Sequence, residues 1–265
     1  MAQQPMYQQI AEDLGKQIDD GILAPGSQLP TEIELRDRYG ASRNTIRDAI
    51  KRLISQGLIE TRPGQGTFVI TRVDPFVTVL TADPKTGAGG DTATYLSQVS
   101  AAHRRPRVTT PRVEVLAPPD QVARRLRIGQ DTPVVSRYRE RYIDEIPWSL
   151  ETSYYPLNFF TNGAPKLLIA DDIAEGTVRY LADTLGLHQI GYRDWITARL
   201  PAAVEQGFFK IGHDATVFEI FRTAFDQHKT PMRLTVTVFP ADRNQFIVDV
   251  GDDLPDPRYD EEPED

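Results

Sequence analysis

Two groups of side chains in this 265-residue chain have the types and spacing to grip phosphate or to read a base edge. The first is the run Ser42-Arg43-Asn44-Thr45-Ile46-Arg47, with Arg36 and Arg38 just before it and Arg62-Pro63-Gly64-Gln65-Gly66 after it. An Arg fork can donate twice to guanine, an Asn amide pairs with adenine, and Thr suits a phosphate or a thymine methyl. A glycine-rich loop lets backbone approach a nucleic acid closely. The second group is Arg137, Arg139 and Arg141, every other residue of one apolar-rich run. That spacing places all three on one face of a strand. Three like charges side by side cost energy unless something neutralises them. One solution is an anion clamped by the Arg forks. The others are internal acids, or exposure on an edge strand.

These residues need elements to hold them. Met6 to Gly21 carries Ile10, Leu14 and Ile18 at helical spacing and ends at glycine. Thr31 with Glu34 three residues on is a capping-box pattern, and the helix it opens buries Ile33 or Leu35 and ends near Gly40. Ser42 caps a longer helix with Ile46, Ala49, Ile50 and Leu53 on one stripe, closed by Gly57. Leu58–Thr61 and Gly66–Ile70 alternate as strands around the glycine turn. Helix, turn, helix and two-stranded wing follow without spare residues, which is a winged helix-turn-helix. Its second helix would place Ser42, Arg43, Asn44, Thr45 and Arg47 against base edges. Arg38, Lys51 and Arg52 suit phosphate or plain solvent.

Pro75, Pro84 and the run T-G-A-G-G-D mark residues 73–92 as a linker, with a possible strand at Phe76–Leu80. Beyond it the texture changes. Strands are expected at V-E-V-L, Pro133–Tyr142, Trp148–Tyr155, Arg193–Leu200, Val217–Asp226 and Met232–Phe239. Helices are expected at P-P-D-Q-V-A-R-R-L, Ile173–Leu185 and Ala202–Phe209. The fold class is α+β with a largely antiparallel sheet. The domains are 1–72 for the winged helix-turn-helix, 93–250 for this α+β domain, and 251–265 for an acidic, disordered tail.

The net charge of −8 looks wrong for a nucleic-acid partner until it is located. Residues 1–72 balance, and residues 252–265 carry net −7. The local placement of Arg and Lys therefore decides the question. With no cysteine, thiolate catalysis and disulfides are excluded, and four scattered histidines (His103, His188, His213, His228) make no metal site. There is no Ser-His-Asp spacing and no paired-carboxylate motif, so no enzyme is expected, and no cofactor. No apolar run approaches the ~20 residues of a membrane span, and the first residues lack a signal-peptide pattern, so a cytoplasmic location is expected.

Residues 5–70 resemble the winged-helix domain of the GntR family of bacterial transcription regulators, through P-G-S-Q-L-P-T-E, S-R-N-T-I-R-D-A-I-K-R-L and G-L-I-E-T-R-P-G-Q-G-T-F-V. The resemblance implies base and phosphate contacts from Arg43, Asn44, Thr45 and Arg47, and a wing tip of Gly64, Gln65 and Gly66. Many members carry an Arg that touches DNA where this chain has Ile33, which leaves Arg36 as a replacement. Residues 109–246 resemble the UTRA domain of the HutC branch, with a chorismate-lyase-like fold, which implies that residues 93–250 are an effector-binding and dimerisation domain. The match rests on R-E-R-Y-I-D-E-I-P-W-S-L-E-T-S-Y-Y-P at Arg139–Pro156, on V-F-E-I-F-R-T-A-F-D, and on D-R-N-Q-F. It implies an anion clamp of Arg139 and Arg141, with Glu151, Ser153 and Tyr155 from the next strand and Thr177 and Arg179 from a helix start. Relatives often carry a Glu where this chain has Arg233, and that exchange would favour a di-anionic or carboxylated ligand. Trp148, Tyr154, Phe159, Phe160 and Trp195 line such a pocket or form plain core.

The expected function is a homodimeric, sequence-specific DNA-binding regulator, a repressor released by an anionic small molecule, phosphorylated or carboxylated. The alternatives are a regulator whose second domain only dimerises, and a lyase-like enzyme.

Overall fold

The computed structural model describes residues 4–62, 64–70, 74–80, 92–248 and 250. It divides into two compact units, Met1–Asp74 and Pro75–Asp265. Most of the stretch expected as linker, and the whole acidic tail, lie outside the described residues.

In the first unit, α1 (Met6–Asp19), α2 (Glu32–Tyr39) and α3 (Arg43–Ser55) are followed by β1 (Ile59–Arg62) and β2 (Gly66–Val69). Thr31 and Glu34 form the reciprocal capping box, and Gly40 closes α2 in the left-handed conformation, φ 59°. That cap fixes which way α2 rolls. Leu35 is fully buried and Ile33 is 66% exposed. Ile10, Leu14, Leu35, Ile46, Ala49, Leu53, Ile59 and Val69 make one core. Each large member contributes roughly 1.5–3 kcal/mol by burial. β1 and β2 pair antiparallel from Ile59↔Val69 to Arg62↔Gly66.

The second unit opens with β3 (Phe76–Val79), a strand within the stretch expected as linker. After it come α4 (Thr92–Ala101), β4 (Pro106–Val108), β5 (Arg112–Leu116), α5 (Asp120–Leu126), β6 (Val134–Ile143), β7 (Ile146–Pro156) and the short α6 (Asn158–Thr161). Then follow α7 (Thr177–Leu185), β8 (Gln189–Arg199), α8 (Ala203–Phe209), β9 (Val217–Asp226), β10 (Pro231–Pro240) and β11 (Asn244–Ile247). Seven strands form one antiparallel sheet in the order β4-β6-β7-β10-β9-β8, with β5 also on β6. β11 pairs parallel with β3, so the end of the unit holds its beginning.

Period-two alternation on β6 and β7 sorts the layers. Val134, Tyr154 and Leu234 pack with α5 residues Val122 and Leu126. Val135, Tyr155 and Met232 pack with α7 residues Tyr180 and Leu181. Arg137, Arg139 and Arg141 have the parity of Val135 and so share the α7 face. The helix expected from Ile173 begins only at Thr177. Gly176 before it holds φ 81°, a backbone that favours glycine, and Ile173–Gly176 stays a loop. α4, β4 and β11 have no counterpart in the sequence reading: α4 mixes Thr, Ser and Gln among its apolar residues and lacks a clean stripe.

Candidate functional site

Ser42 is extended, φ −70° and ψ 157°, and its Oγ accepts from the Thr45 amide at 3.2 Å. This starts α3 so that Arg43, Asn44 and Arg47 are exposed while Ile46, Ala49 and Leu53 enter the core. Ser42 Oγ and Thr45 Oγ1 lie 2.8 Å apart, so that hydroxyl is tied to the cap. Glu32, at the start of α2, accepts from Arg43 Nε at 3.2 Å and from Arg47 Nε at 3.1 Å. One carboxylate therefore orders two guanidinium groups on the exposed side of α3. The Arg47 hydrogen bond, followed by that of Arg43, holds the Glu32 carboxyl below the usual range.

Arg36 is exposed on α2. Arg38 is held at the α1–α2 junction, where it donates to Gln17 at 3.2 Å and lies over the Tyr39 ring. In the wing, Arg62 pairs with Glu60 at 2.7 Å and stacks on Phe68. Gly64 and Gly66 hold φ 73° and 122°. A Cβ on Gly66 would fall 2.4 Å from Gln28 Nε2, which donates to the Gln65 carbonyl at 3.0 Å. Glycine is what lets the loop fold against Gln28 and stay compact.

The second unit holds a cavity of about 190 Å³ on the α7 face of the sheet. A single water needs only about 10–15 Å³ by a comparable measure, so there is room for a small molecule. Arg137, Arg139, Glu151, Ser153 and Tyr155 form its floor, Thr92 and Leu96 of α4 one wall, and Asp172–Ala174, Gly176 and Thr177 the other. The three arginines have different surroundings. Arg137 donates to the carbonyls of Leu167 and Ile169 at 2.8 Å, of Lys166 at 3.3 Å and of Asp171 at 2.6 Å. It fastens the loop that leads to Asp172, and burial holds its pKa below the ordinary arginine value. Arg139 Nη1 lies 2.5 Å from Asp172 Oδ1, and Arg141 Nη2 lies 2.6 Å from Glu151 Oε2. Both contacts have the distance of an ion pair, yet these nitrogens, and Arg141 Nε, are buried without a well-angled hydrogen bond. The cavity itself is thus lined by two buried guanidinium groups, Arg137 and Arg139, and two carboxylates, Glu151 and Asp172, with Arg141 paired to Glu151. The α7 N-terminus, with no side-chain cap and no acid in its first turn, opens beside them.

A smaller cavity of about 70 Å³ lies under β3 and α4, lined by Tyr95, Arg141, Trp148 and Arg222 among others. Glu151 lines both cavities. The Arg141 guanidinium lies 4.7 Å from the Tyr95 ring centre.

Residues 6–69 match the model of the bacterial regulatory proteins of the gntR family, and residues 101–245 match that of the UTRA domain. The chain belongs to the GntR family. As a member it is a DNA-binding transcriptional regulator with a UTRA effector domain, in a family of regulators rather than enzymes. It is 24% identical over 254 residues to the uncharacterized HTH-type transcriptional regulator YurK of Bacillus subtilis (strain 168), covering 92% of this chain and 95% of that one. It is 32% identical over 161 residues to MngR of Escherichia coli (strain K12), the mannosyl-D-glycerate transport/metabolism system repressor, covering 60% of this chain and 62% of that one. A crystal structure of a GntR-family transcriptional regulator superimposes with a TM-score of 0.60 at 26% identity, covering 94% and 98% of the two chains.

Against this GntR framework the expected residues separate. Ser42, Arg43, Asn44, Thr45 and Arg47 stand together at the start of α3, and Arg62, Gly64, Gln65 and Gly66 form the wing turn, whose Pro63 lies outside the described residues. Arg137, Arg139, Glu151, Ser153, Tyr155 and Thr177 do meet at one cavity. Arg141 lines the smaller cavity instead. Arg179 does not line the cavity. It is exposed and pairs with Asp183 one helical turn on, because α7 begins late and turns that position outward. Arg233 is 2% exposed, is not a lining residue and donates to Gln189 at 3.2 Å, so the expected charge reversal of the wall does not occur. Trp148 lines the smaller cavity, Tyr154 and Phe159 pack in clusters, and Phe160 and Trp195 are exposed. Sequence reasoning missed Glu32, Asp172, Thr92 and Leu96. Glu32 was legible as an acid one helix away from Arg43, but nothing in the spacing showed that it reaches both arginines.

Proposed function

We propose that this regulator is a homodimeric repressor that leaves its operator when an anionic small molecule, phosphorylated or carboxylated, enters the α7-face cavity. The observation that carries the reading is Arg139, a guanidinium buried at that cavity whose carboxylate partner, Asp172, is itself 57% exposed. A buried charge needs a partner, and an anion supplies one. Arg139, Ser153, Thr177 and the α7 N-terminus are its binding groups. MngR is named for a system that handles a glycerate, itself a carboxylate, which agrees in kind. Arg43, Asn44, Thr45 and Arg47 read bases, and Arg36, Arg62 and the wing glycines Gly64 and Gly66 meet the backbone.

A twofold dimer is supported by β8. It is the edge of the sheet, and Trp195, Ile196, Thr197 and Ala198 are exposed on both of its faces, with Leu200 and Val204 exposed nearby. A long apolar edge strand invites a second strand. Two heads related by a twofold read half-sites about one helical turn apart.

Footprinting on DNA upstream of the gene for this protein tests the whole reading. Two protected half-sites about one turn apart are expected, absent with Arg43→Ala and lost on adding the right phosphorylated or carboxylated metabolite. A footprint that Arg43→Ala leaves intact refutes the reading helix. An operator complex that yields to neutral sugars and ignores every organic anion refutes the effector class.

A further inference from the structure

The two carboxylates at the cavity differ in how firmly they are built in. The Glu151 side chain is 5% exposed and its partner Arg141 is 9% exposed. Breaking a buried pair of that kind is expensive. The Asp172 side chain is 57% exposed, although the Arg139 it touches is 10% exposed. A carboxylate that reaches in from solvent gains little from its pair and leaves cheaply. Arg139 Nη1 also keeps a poorly angled contact with it, so a better acceptor would be preferred there.

Backbone placement supports the same distinction. Arg137 clasps the loop carbonyls through Asp171 and stops at the residue before Asp172. Asp171 is fixed, and Asp172 is the next side chain along. Four residues later Gly176 turns the chain into α7. The carboxylate therefore sits on a short tether that can withdraw without unfastening the loop.

We propose that Asp172 is a tethered counterion that occupies the effector's anion position on Arg139 and sets a charge threshold for ligands. This rests on the anion-site reading above. A ligand must displace a carboxylate already held at high local concentration. A group that merely equals a carboxylate in charge gains little by the exchange, whereas a phosphoryl dianion brings more charge and more acceptor oxygens. Asp172 thereby tunes which anions count as a signal, and it is a specificity-determining residue of the cavity rather than part of its framework.

Calorimetric titration of the full-length protein with inorganic phosphate and with acetate tests this. Four proteins are compared: wild type, Asp172→Asn, Arg139→Gln and the double variant. Asp183→Asn, an exposed acid of α7 outside the cavity, controls for a general change of charge, and thermal melts verify folding. Asp172→Asn should bind phosphate roughly three- to tenfold tighter than wild type and should gain acetate binding. Asp183→Asn should change neither, and Arg139→Gln should erase the gain. Equal phosphate binding by wild type and Asp172→Asn, abolished by Arg139→Gln, overturns the counterion role and leaves the anion site standing. A gain that persists without Arg139, or appears equally in Asp183→Asn, also overturns it. If wild type and Asp172→Asn bind neither anion, the proposal and the anion-site reading fall together.

Discussion

Glu32 shows how much a single side chain can organise. It contributes nothing to the core, yet it touches both arginines that the reading helix presents. Its carboxyl is held below the usual 4.5, first by the Arg47 hydrogen bond and then by that of Arg43. A depressed carboxylate stabilises the fold above the unfolded-chain value, and that contribution fades as pH falls through the folded one. NMR titration should therefore find Glu32 ionised below pH 4.5. Arg47→Ala should restore more of its ordinary value than Arg43→Ala. Equal effects of the two variants would mean the carboxylate does not favour Arg47. The same scale separates the arginines of β6. Three identical residues at identical spacing became a loop clasp, the partner of a half-exposed acid and the partner of a buried acid.

At the scale of elements, the loop between β7 and α7 is fastened by the Arg137 guanidinium, beside the Lys166–Glu175 ion pair and the bond from the Lys166 amide to the Tyr180 hydroxyl. Arg137 donates to four carbonyls of this loop, of which those of Lys166 and Ile169 also accept from backbone amides. Arg137→Met should cost about 2–4 kcal/mol in urea unfolding, because the methionine fills part of the space and donates nothing. Arg139→Gln, whose partner is half in solvent, should cost under about 1 kcal/mol. Finding the two variants equally stable would show that Arg137 is not a clasp. β3 and β11 add a second fastening, since their parallel pairing ties the first strand of the effector unit to its last described strand, and β3 lines the smaller cavity.

At the scale of the whole molecule, the proposed dimer would bring two reading heads to one stretch of DNA. Sedimentation of the full chain should give twice 29.8 kDa, and Trp195→Asp should shift it toward a single chain by placing a charge on the β8 edge. Operator binding should weaken in parallel, because one head makes only half the contacts. A Trp195→Asp protein that stays dimeric would move the interface to another face. The −7 tail, residues 252–265, lies outside the described residues. The rest of the chain is close to electrically balanced, so the bulk charge says little about DNA.

The winged helix was legible in the sequence because its signals are local. A capping box, an Asx- or Ser-type cap, a glycine stop and a period of 3.6 or 2 act within a few residues. The alternation of Arg137, Arg139 and Arg141 was legible for the same reason: strand period alone puts them on one face. Partners are set by long-range contact, and no spacing encodes them. Asp172 reaches Arg139 from 33 residues along the chain, and Glu32 crosses from α2 to α3. Arg233 looked like a wall of the pocket and is instead buried against Gln189. Arg179 looked like a helix-start ligand, but Gly176 delays the helix and leaves that arginine in solvent. The sequence by itself settled most of the elements, though not α4, β4 or β11, and which residues of a strand share a face. Only the tertiary structure decided which charge meets which, because that depends on how loops and layers close over the sheet.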